Sequence, residues 1–382
     1  MIALLNDDRH PSHAISKPAM HAKVAIVGAG LAGLCAARLL QASAVDFMLI
    51  EARGRLGGRI LTANGTGTAC EDGFDLGPSW YWPRVQPAIG DLVAELRLSA
   101  FAQNSDGDVL FERMSREPRH RYRTDVREQD SMRLAGGTAA LVRALARDLP
   151  DERILVGARV SAMTLANDCI GLTLVHGNGS PQMLTAGHVI AALPPRLLEA
   201  TVAFTPAMDP ATLRQWRDTP TWMAPHAKFF ALYERPFWRD AGLSGTAQSM
   251  VGPMVEMHDA TTASGQAALF GFLGVAADQR ALIGEEQLSR ACLDQFARIF
   301  GDAAGTPIAT IFKDWAADPL TATAADRTAG GHPAPADALW VQGAWQRRLV
   351  LGGSETSPVE PGYLAGAVIA ARRAVAETLR VH

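Results

Sequence analysis

The chain has 382 residues, 48 % of them hydrophobic and 20 % charged, with 36 basic against 39 acidic side chains. This is a globular balance that excludes fibrous and disordered classes and offers no basic excess for nucleic acid. No run of 18 apolar residues is present, so no membrane span is expected. The four cysteines, Cys35, Cys70, Cys169 and Cys292, have neither metal-ligand spacing nor the pattern of a secreted disulfide framework.

Residues 1–19 are polar and lack a signal-peptide core. They read as a flexible extension, or as residues upstream of a start at Met20. Lys23–Val27 is a short apolar run of the kind found in buried parallel strands. It runs into Gly28-Ala29-Gly30-Leu31-Ala32-Gly33, and a helix to about Gln41 follows. Phe47–Ile50 is a second strand ending at Glu51, so the chain opens with a βαβ unit. Further on, helices are expected over Asp91–Leu98 and Thr138–Leu149. The charged stretch Arg113–Arg133 between them reads as a solvated face. Strands follow at Ile154–Val156, Val160–Leu165, Gly171–Val175 and His188–Ala192, with a hairpin turn at Asn178-Gly179. Lys228–Tyr233 and Ala268–Gly274 read as strands and Glu285–Phe300 as a helix. After a long loop over 318–337, Leu349–Leu351 is the last strand and Tyr363–Leu379 the last helix.

The glycine loop is the first chemical signal. Gly28 permits a tight turn, Gly30 lets the backbone approach a pyrophosphate, and Gly33 lets the helix pack on the strand. The helix N-terminus favours phosphate, and Glu51 stands where a carboxylate holds ribose hydroxyls. A second signal follows at once in Glu51-Ala52-Arg53-Gly54-Arg55-Leu56-Gly57-Gly58-Arg59. Its paired glycines aim backbone N–H groups at an anion, and Arg59 can add charge-assisted bonds to phosphate. A nicotinamide-binding fold has no need of that segment.

This string resembles the flavin amine oxidase family, which includes monoamine, polyamine and L-amino-acid oxidases. Further matches come in family order from Ala22 to Thr378. Asp75-Leu76-Gly77-Pro78-Ser79-Trp80 resembles the loop beside the flavin, Arg159-Val160 the strand whose valine meets adenine, and Ala227-Lys228-Phe229-Phe230 with Pro236-Phe237-Trp238 the lysine strand and its sequel. Trp315 is similar to a tryptophan near the ring. Leu351-Gly352-Gly353-Ser354-Glu355-Thr356, then Gly362-Tyr363-Leu364, resembles the C-terminal flavin motif.

The resemblance implies a two-domain α/β fold with a Rossmann-type FAD domain and a mixed-sheet substrate domain. The FAD domain is expected over 20–82, 132–200 and 338–382, and the substrate domain over 83–131 and 201–337. It implies FAD as cofactor, with a carbon–nitrogen bond of an amine oxidised by hydride transfer to flavin N5. Oxygen would then reoxidise the flavin to give hydrogen peroxide. The alternatives are a desaturase-like flavoenzyme on a biosynthetic intermediate and a non-catalytic flavin-binding protein.

Lys228 is implied to hold a water at the flavin. It is one of only four lysines among the 36 basic residues. Glu355 would hold ribityl hydroxyls, and the helix beginning near Leu364 would aim its positive end at the flavin. Tyr363 matches one wall of the aromatic cage that steers the amine.

Two departures stand out. Ala324 falls where monoamine oxidases keep the cysteine bonded to flavin, which implies non-covalent FAD. Ala325 falls where a second cage tyrosine is expected, leaving Trp80, Trp82 or Trp345 as replacements. A membrane anchor is absent from the last residues, so a cytoplasmic protein is expected, with its oligomeric state open. The ten histidines form no metal motif, and no metal is expected. Met250, Met254 and Met257 read as gap filling more than pocket lining.

Overall fold

The computed structural model describes residues 20–115, 117–123, 131–166, 168–328, 331–336 and 338–380. The expected N-terminal extension, 1–19, and part of the arginine-rich stretch lie outside them. Two large sheets dominate. In the first, the order is Ala203–Thr205, Ala158–Ala166, Cys169–His176, Pro181–Ala191, Met20–Val27, Phe47–Ile50 and Ile154–Leu155, with Leu349–Leu351 also on Pro181–Ala191. Met20–Val27 runs parallel to both its neighbours, pairing Val27 with Ala191 and with Ile50. Its apolar residues alternate between two cores, as the period of a strand requires. Val24 and Ile26 meet the helices Leu31–Ala42 and Leu364–Arg380, while Ala25 and Val27 meet Trp216, Trp340 and Trp345 on the other side.

In the second sheet the order is Ala309–Asp314, Ala227–Tyr233, Ala267–Leu273, Met254–Asp259, Leu243–Ser249, Asp108–Glu112 and His120–Tyr122. The odd residues Phe229, Ala231 and Tyr233 pack with Leu288, Cys292 and Phe296 of the helix Glu285–Phe300. The even residues Phe230 and Leu232 pack with Phe270, Phe74 and Leu76 on the opposite face. Lys228 falls on that even face. The strand is buried along its whole length, so its lysine is held away from the protein surface.

Several elements differ from the sequence reading. The expected helix at 91–98 lies at Pro87–Glu95, because Pro87 opens it and Arg97 turns left-handed just beyond it (φ 53°). Pro195 likewise opens a helix, Pro195–Thr201, which the sequence reading did not include. Arg133 is not part of a solvated face. It is buried and donates to the backbone oxygens of Thr261 and Ala260 at 2.9 and 3.1 Å. Met254 and Met257 are fully buried core residues, while Met250 is exposed. Among the described residues no helix is long and apolar enough to cross a membrane.

Candidate active site

A continuous cavity of about 1070 Å³ is walled by both sheets and their loops. It sits at the carboxyl end of the first sheet's parallel strands, where open α/β sheets bind ligands. Gly28, Gly30, Glu51, Gly57 and Gly58 line one part of it. Gly33 does not. It lies behind them, where a Cβ would come within 1.8 Å of the Gly28 oxygen, so only glycine lets this helix meet its strand. The Glu51 carboxylate accepts the backbone N–H groups of Ala29 at 2.9 Å and Arg53 at 2.8 Å. Those bonds take two of its roughly four lone-pair sites and fix its direction. Val160 lines the same region.

The Arg53 side chain donates to Asp318 and Thr321 at 2.9 and 2.8 Å, tying the glycine segment to a distant loop. Arg59 grips the Glu355 carboxylate with both terminal nitrogens, at 2.7 and 3.2 Å, and also donates to Ser354 Oγ and to the Trp222 oxygen. Four of its five N–H groups are thereby spent. The two residues expected to reach separately for the ligand hold each other, side by side on the cavity wall.

Lys228 is 4 % exposed. Its Nζ donates to the backbone oxygens of Asp75 (3.1 Å) and Gly77 (2.6 Å) and to Ser79 Oγ (2.9 Å). It also lies 4.8 Å above the Phe270 ring. Burial pushes its pKa from 10.5 down to about 7. The three contacts suit either charge state, because the Ser79 hydroxyl can turn and donate to a neutral amine. Trp315 donates to the Leu76 oxygen at 2.9 Å, so that loop is held from two sides.

Tyr363 lines the cavity beside Leu364. Its ring stands 4.9 Å from His332, 6.0 Å from Trp222 and 6.3 Å from Trp82. Trp222 was missed in the sequence. It sits in an aperiodic loop, and its match is Gly362, where any Cβ would fall 2.5 Å from Trp222 Cβ. Of the three proposed replacements for the absent cage residue, Trp82 stands by Tyr363. Trp80 lines another wall with Phe270 and Phe272. Trp345 is excluded: it is buried in the first sheet's core against Phe204. Ala324 and Ala325 are exposed and off the cavity, and this loop reaches it through Pro319, Leu320 and Thr321 instead. His226 lines the cavity with its pKa lowered by burial and by Arg280, and its Nδ1 has no hydrogen-bond partner. Glu256, also missed, lines the second-sheet wall and bonds His258 at 2.7 Å.

Residues 107–379 match the family model for flavin containing amine oxidoreductase, and residues 26–96 that for an NAD(P)-binding Rossmann-like domain. The chain belongs to the flavin-containing amine oxidoreductase family. It is 26 % identical to a putative flavin-containing monoamine oxidase, AofH, of Mycobacterium tuberculosis, over 96 % of this chain and 98 % of that one. Over 52 % of this chain and 43 % of the relative, it is 29 % identical to a putrescine oxidase of Kocuria rosea. Its fold is similar to that of a putrescine oxidase solved with putrescine bound (TM-score 0.77, 21 % identity, 95 % of this chain and 100 % of that one). A cyclohexylamine oxidase from Brevibacterium oxydans is equally alike in fold (TM-score 0.77, 19 % identity, 94 % and 99 % covered).

The chain is thus a flavin-dependent amine oxidoreductase, and the cavity suits the cofactor this family uses. The helices Leu31–Ala42 and Leu364–Arg380 open on it, and first-turn N–H groups have no intrahelical partner. Gly58, at φ 58°, would place a Cβ 3.3 Å from the Gly30 Cα, so the cradle floor is bare backbone.

Proposed function

We propose that this protein holds FAD without a covalent bond and oxidises the carbon–nitrogen bond of a small amine, with oxygen as electron acceptor. The observation that carries this reading is the continuity of the cavity. It joins a dinucleotide cradle at Gly28–Gly30 and Glu51 to an aromatic chamber at Trp222 and Tyr363, with the buried amine of Lys228 on its wall.

The segments 20–82, 132–200 and 338–382, whose sheet Ala203–Thr205 extends beyond the expected boundary, would hold the cofactor, and the second sheet with the rest of 83–131 and 201–337 would close over the substrate. Glu51 would take ribose hydroxyls, the two helix N-termini would take phosphate and the ring's anionic edge, and Val160 would meet the adenine. Arg59 would keep Glu355 aimed along the wall. No cysteine is among the described lining residues, which supports non-covalent binding. When bound, the flavin supplies a two-electron acceptor for the substrate carbon and passes those electrons to oxygen.

The chain's own residues prepare the substrate. Tyr363, Trp222 and Trp82 offer ring faces that exclude water and guide an amine. A dry apolar chamber lowers the amine's pKa and favours its reactive neutral form. Lys228 would hold a water and its proton through Nζ, using its coupling to Ser79 Oγ. The four cysteines are unpaired, in keeping with a reducing, cytoplasmic setting.

The test is anaerobic bleaching of the visible flavin band by monoamines, diamines and L-amino acids, with peroxide measured in air. Bleaching by an amine together with peroxide is expected, and acid precipitation should leave all the flavin in the supernatant. Bound flavin that no amine bleaches would refute the reading.

A further inference from the structure

We propose that Gln103 is a positioning residue for the amine-binding cavity: its carboxamide fixes the indole of Trp80 on the wall, and Asp259, clamped by Trp238 and Arg239, fixes Gln103. The inference rests on the amine-oxidising reading above. It also gives the Pro236-Phe237-Trp238 segment a part in the site, although neither Trp238 nor Arg239 is among the lining residues.

The argument starts from the backbone. Tyr81 and Met132 form an antiparallel bridge, each donating its N–H to the other's oxygen, at 3.0 and 2.9 Å. Extended residues alternate between faces. Tyr81 is accordingly buried in the first core, while Trp80 and Trp82 both line the cavity. Their indole N–H groups land on the end of one short ribbon, made by the strands Ala100–Ala102 and Met132–Leu134. Trp82 donates to Ser131 Oγ at 2.8 Å and Trp80 to Gln103 Oε1 at 2.7 Å. The Gln103 backbone N–H in turn donates to the Ser131 oxygen at 2.8 Å.

The surroundings of Gln103 require a glutamine. The residue is 5 % exposed. Its Oε1 must accept, because an indole nitrogen only donates. Its Nε2 must donate, because it meets the Asp259 backbone oxygen at 2.8 Å. A primary amide supplies both functions on one planar head, and asparagine is a methylene shorter. Asp259 is held in turn. It is fully buried, and its Oδ2 accepts Trp238 Nε1 at 2.8 Å and Arg239 Nε at 2.7 Å, while Oδ1 accepts the Thr261 N–H at 2.7 Å. Gly245, at φ 83°, leaves room for this clamp, since a Cβ there would come 2.7 Å from Asp259 Cβ and 2.9 Å from Trp238 Nε1. The chain of contacts ends near Lys228: the Trp80 ring stands 5.5 Å from Phe270, and Lys228 Nζ lies 4.8 Å above that same ring. An indole released by Gln103 would carry an unpaired N–H at an apolar wall and would turn to find an acceptor, so the cavity would lose a fixed side.

The test uses the FAD-loaded protein with benzylamine, pentylamine and putrescine as probes. Gln103→Leu keeps most of the volume and loses both bonds. KM for a probe that turns over should rise about tenfold, with kcat changed less than about twofold, because Glu51 and the Arg59–Glu355 pair are untouched. Gln103→Glu keeps an acceptor for Trp80 and should lose less, and Arg239→Met should show the same split at smaller size. In a Trp80→Phe background, which has no indole N–H to hold, Gln103→Leu should add little to KM. In protein with isotope-labelled tryptophan, the indole N–H signal that vanishes in Trp80→Phe should exchange with solvent faster in Gln103→Leu. Fully additive losses in the double variant, unchanged exchange of that N–H, or wild-type kinetics in Arg239→Met would overturn the inference and leave the amine reading standing. Bound flavin that no amine bleaches would overturn the two together.

Discussion

Replacing Lys228 by Met separates the electrostatics of this residue from its volume. Methionine fills the same aromatic slot between Phe230, Phe270 and Phe272 but carries no proton. Burial pushes the pKa of the folded lysine down to about 7, from its ordinary 10.5. The unfolded chain therefore binds more protons between those values, and stability rises with pH across that window. At 1.36 kcal/mol per unit, the gain between about pH 7 and about pH 10 is roughly 4 kcal/mol. Other groups titrate in the same range, but the difference between wild type and variant cancels them.

Removing the amine also strips partners from the Asp75 and Gly77 oxygens, at about 1–3 kcal/mol each, offset by the relief of burying an amine. Denaturant unfolding of both proteins at several pH values, at fixed FAD, gives the comparison. The wild-type curve should climb relative to the variant as pH rises, while FAD binding is retained and reoxidation by oxygen slows. Parallel pH profiles would refute the buried-amine argument, and unchanged oxygen kinetics would refute the role given to Lys228.

Three further outcomes follow from the geometry. Gly33→Ala drives a methyl into the Gly28 oxygen, a backbone atom that cannot step aside. The purified protein should therefore carry little flavin, read from its visible-to-ultraviolet absorbance ratio. Glu51→Gln replaces one acceptor oxygen with a donor facing backbone N–H groups, and should weaken FAD retention about tenfold or more in equilibrium dialysis. Trp222→Ala removes a ring face opposite Tyr363, and should raise KM for the amine roughly three- to tenfold while kcat for bound substrate changes less.

The first βαβ unit was legible because three local signals agree there: an apolar run, a glycine-bounded turn and a carboxylate at the end of the second strand. Phe47–Ile50, Glu285–Phe300 and Leu349–Leu351 stand where the pattern put them. The strands Leu243–Ser249, Met254–Asp259 and Ala309–Asp314 were not read, because their residues mix polar and apolar without a clean period of two. Their pairing is set by neighbours distant in sequence, and that register is what lifts Glu256 into the cavity. Trp222 was hidden for a related reason. Its meaning depends on Gly362, 140 residues later, and no local pattern links the two. The Arg59–Glu355 grip was likewise invisible, although both residues were singled out: each was assigned to a ligand, and neither to the other.

The parallel strand Met20–Val27 has its partners at Phe47–Ile50 and at Pro181–Ala191, and Leu349–Leu351 closes on the latter. On the ribosome, the glycine loop is therefore exposed long before the strand beside it has been translated. The helix that carries Tyr363's neighbours appears only after nearly every other element. Long-range parallel pairing of this kind is slow and leaves sheet edges open meanwhile. The cofactor cradle is thus a product of completed synthesis, and a dinucleotide that binds it draws together both ends of the described chain. A flavin bound there would stabilise the finished fold by mass action, so the fraction of chain that stays folded should rise with flavin concentration.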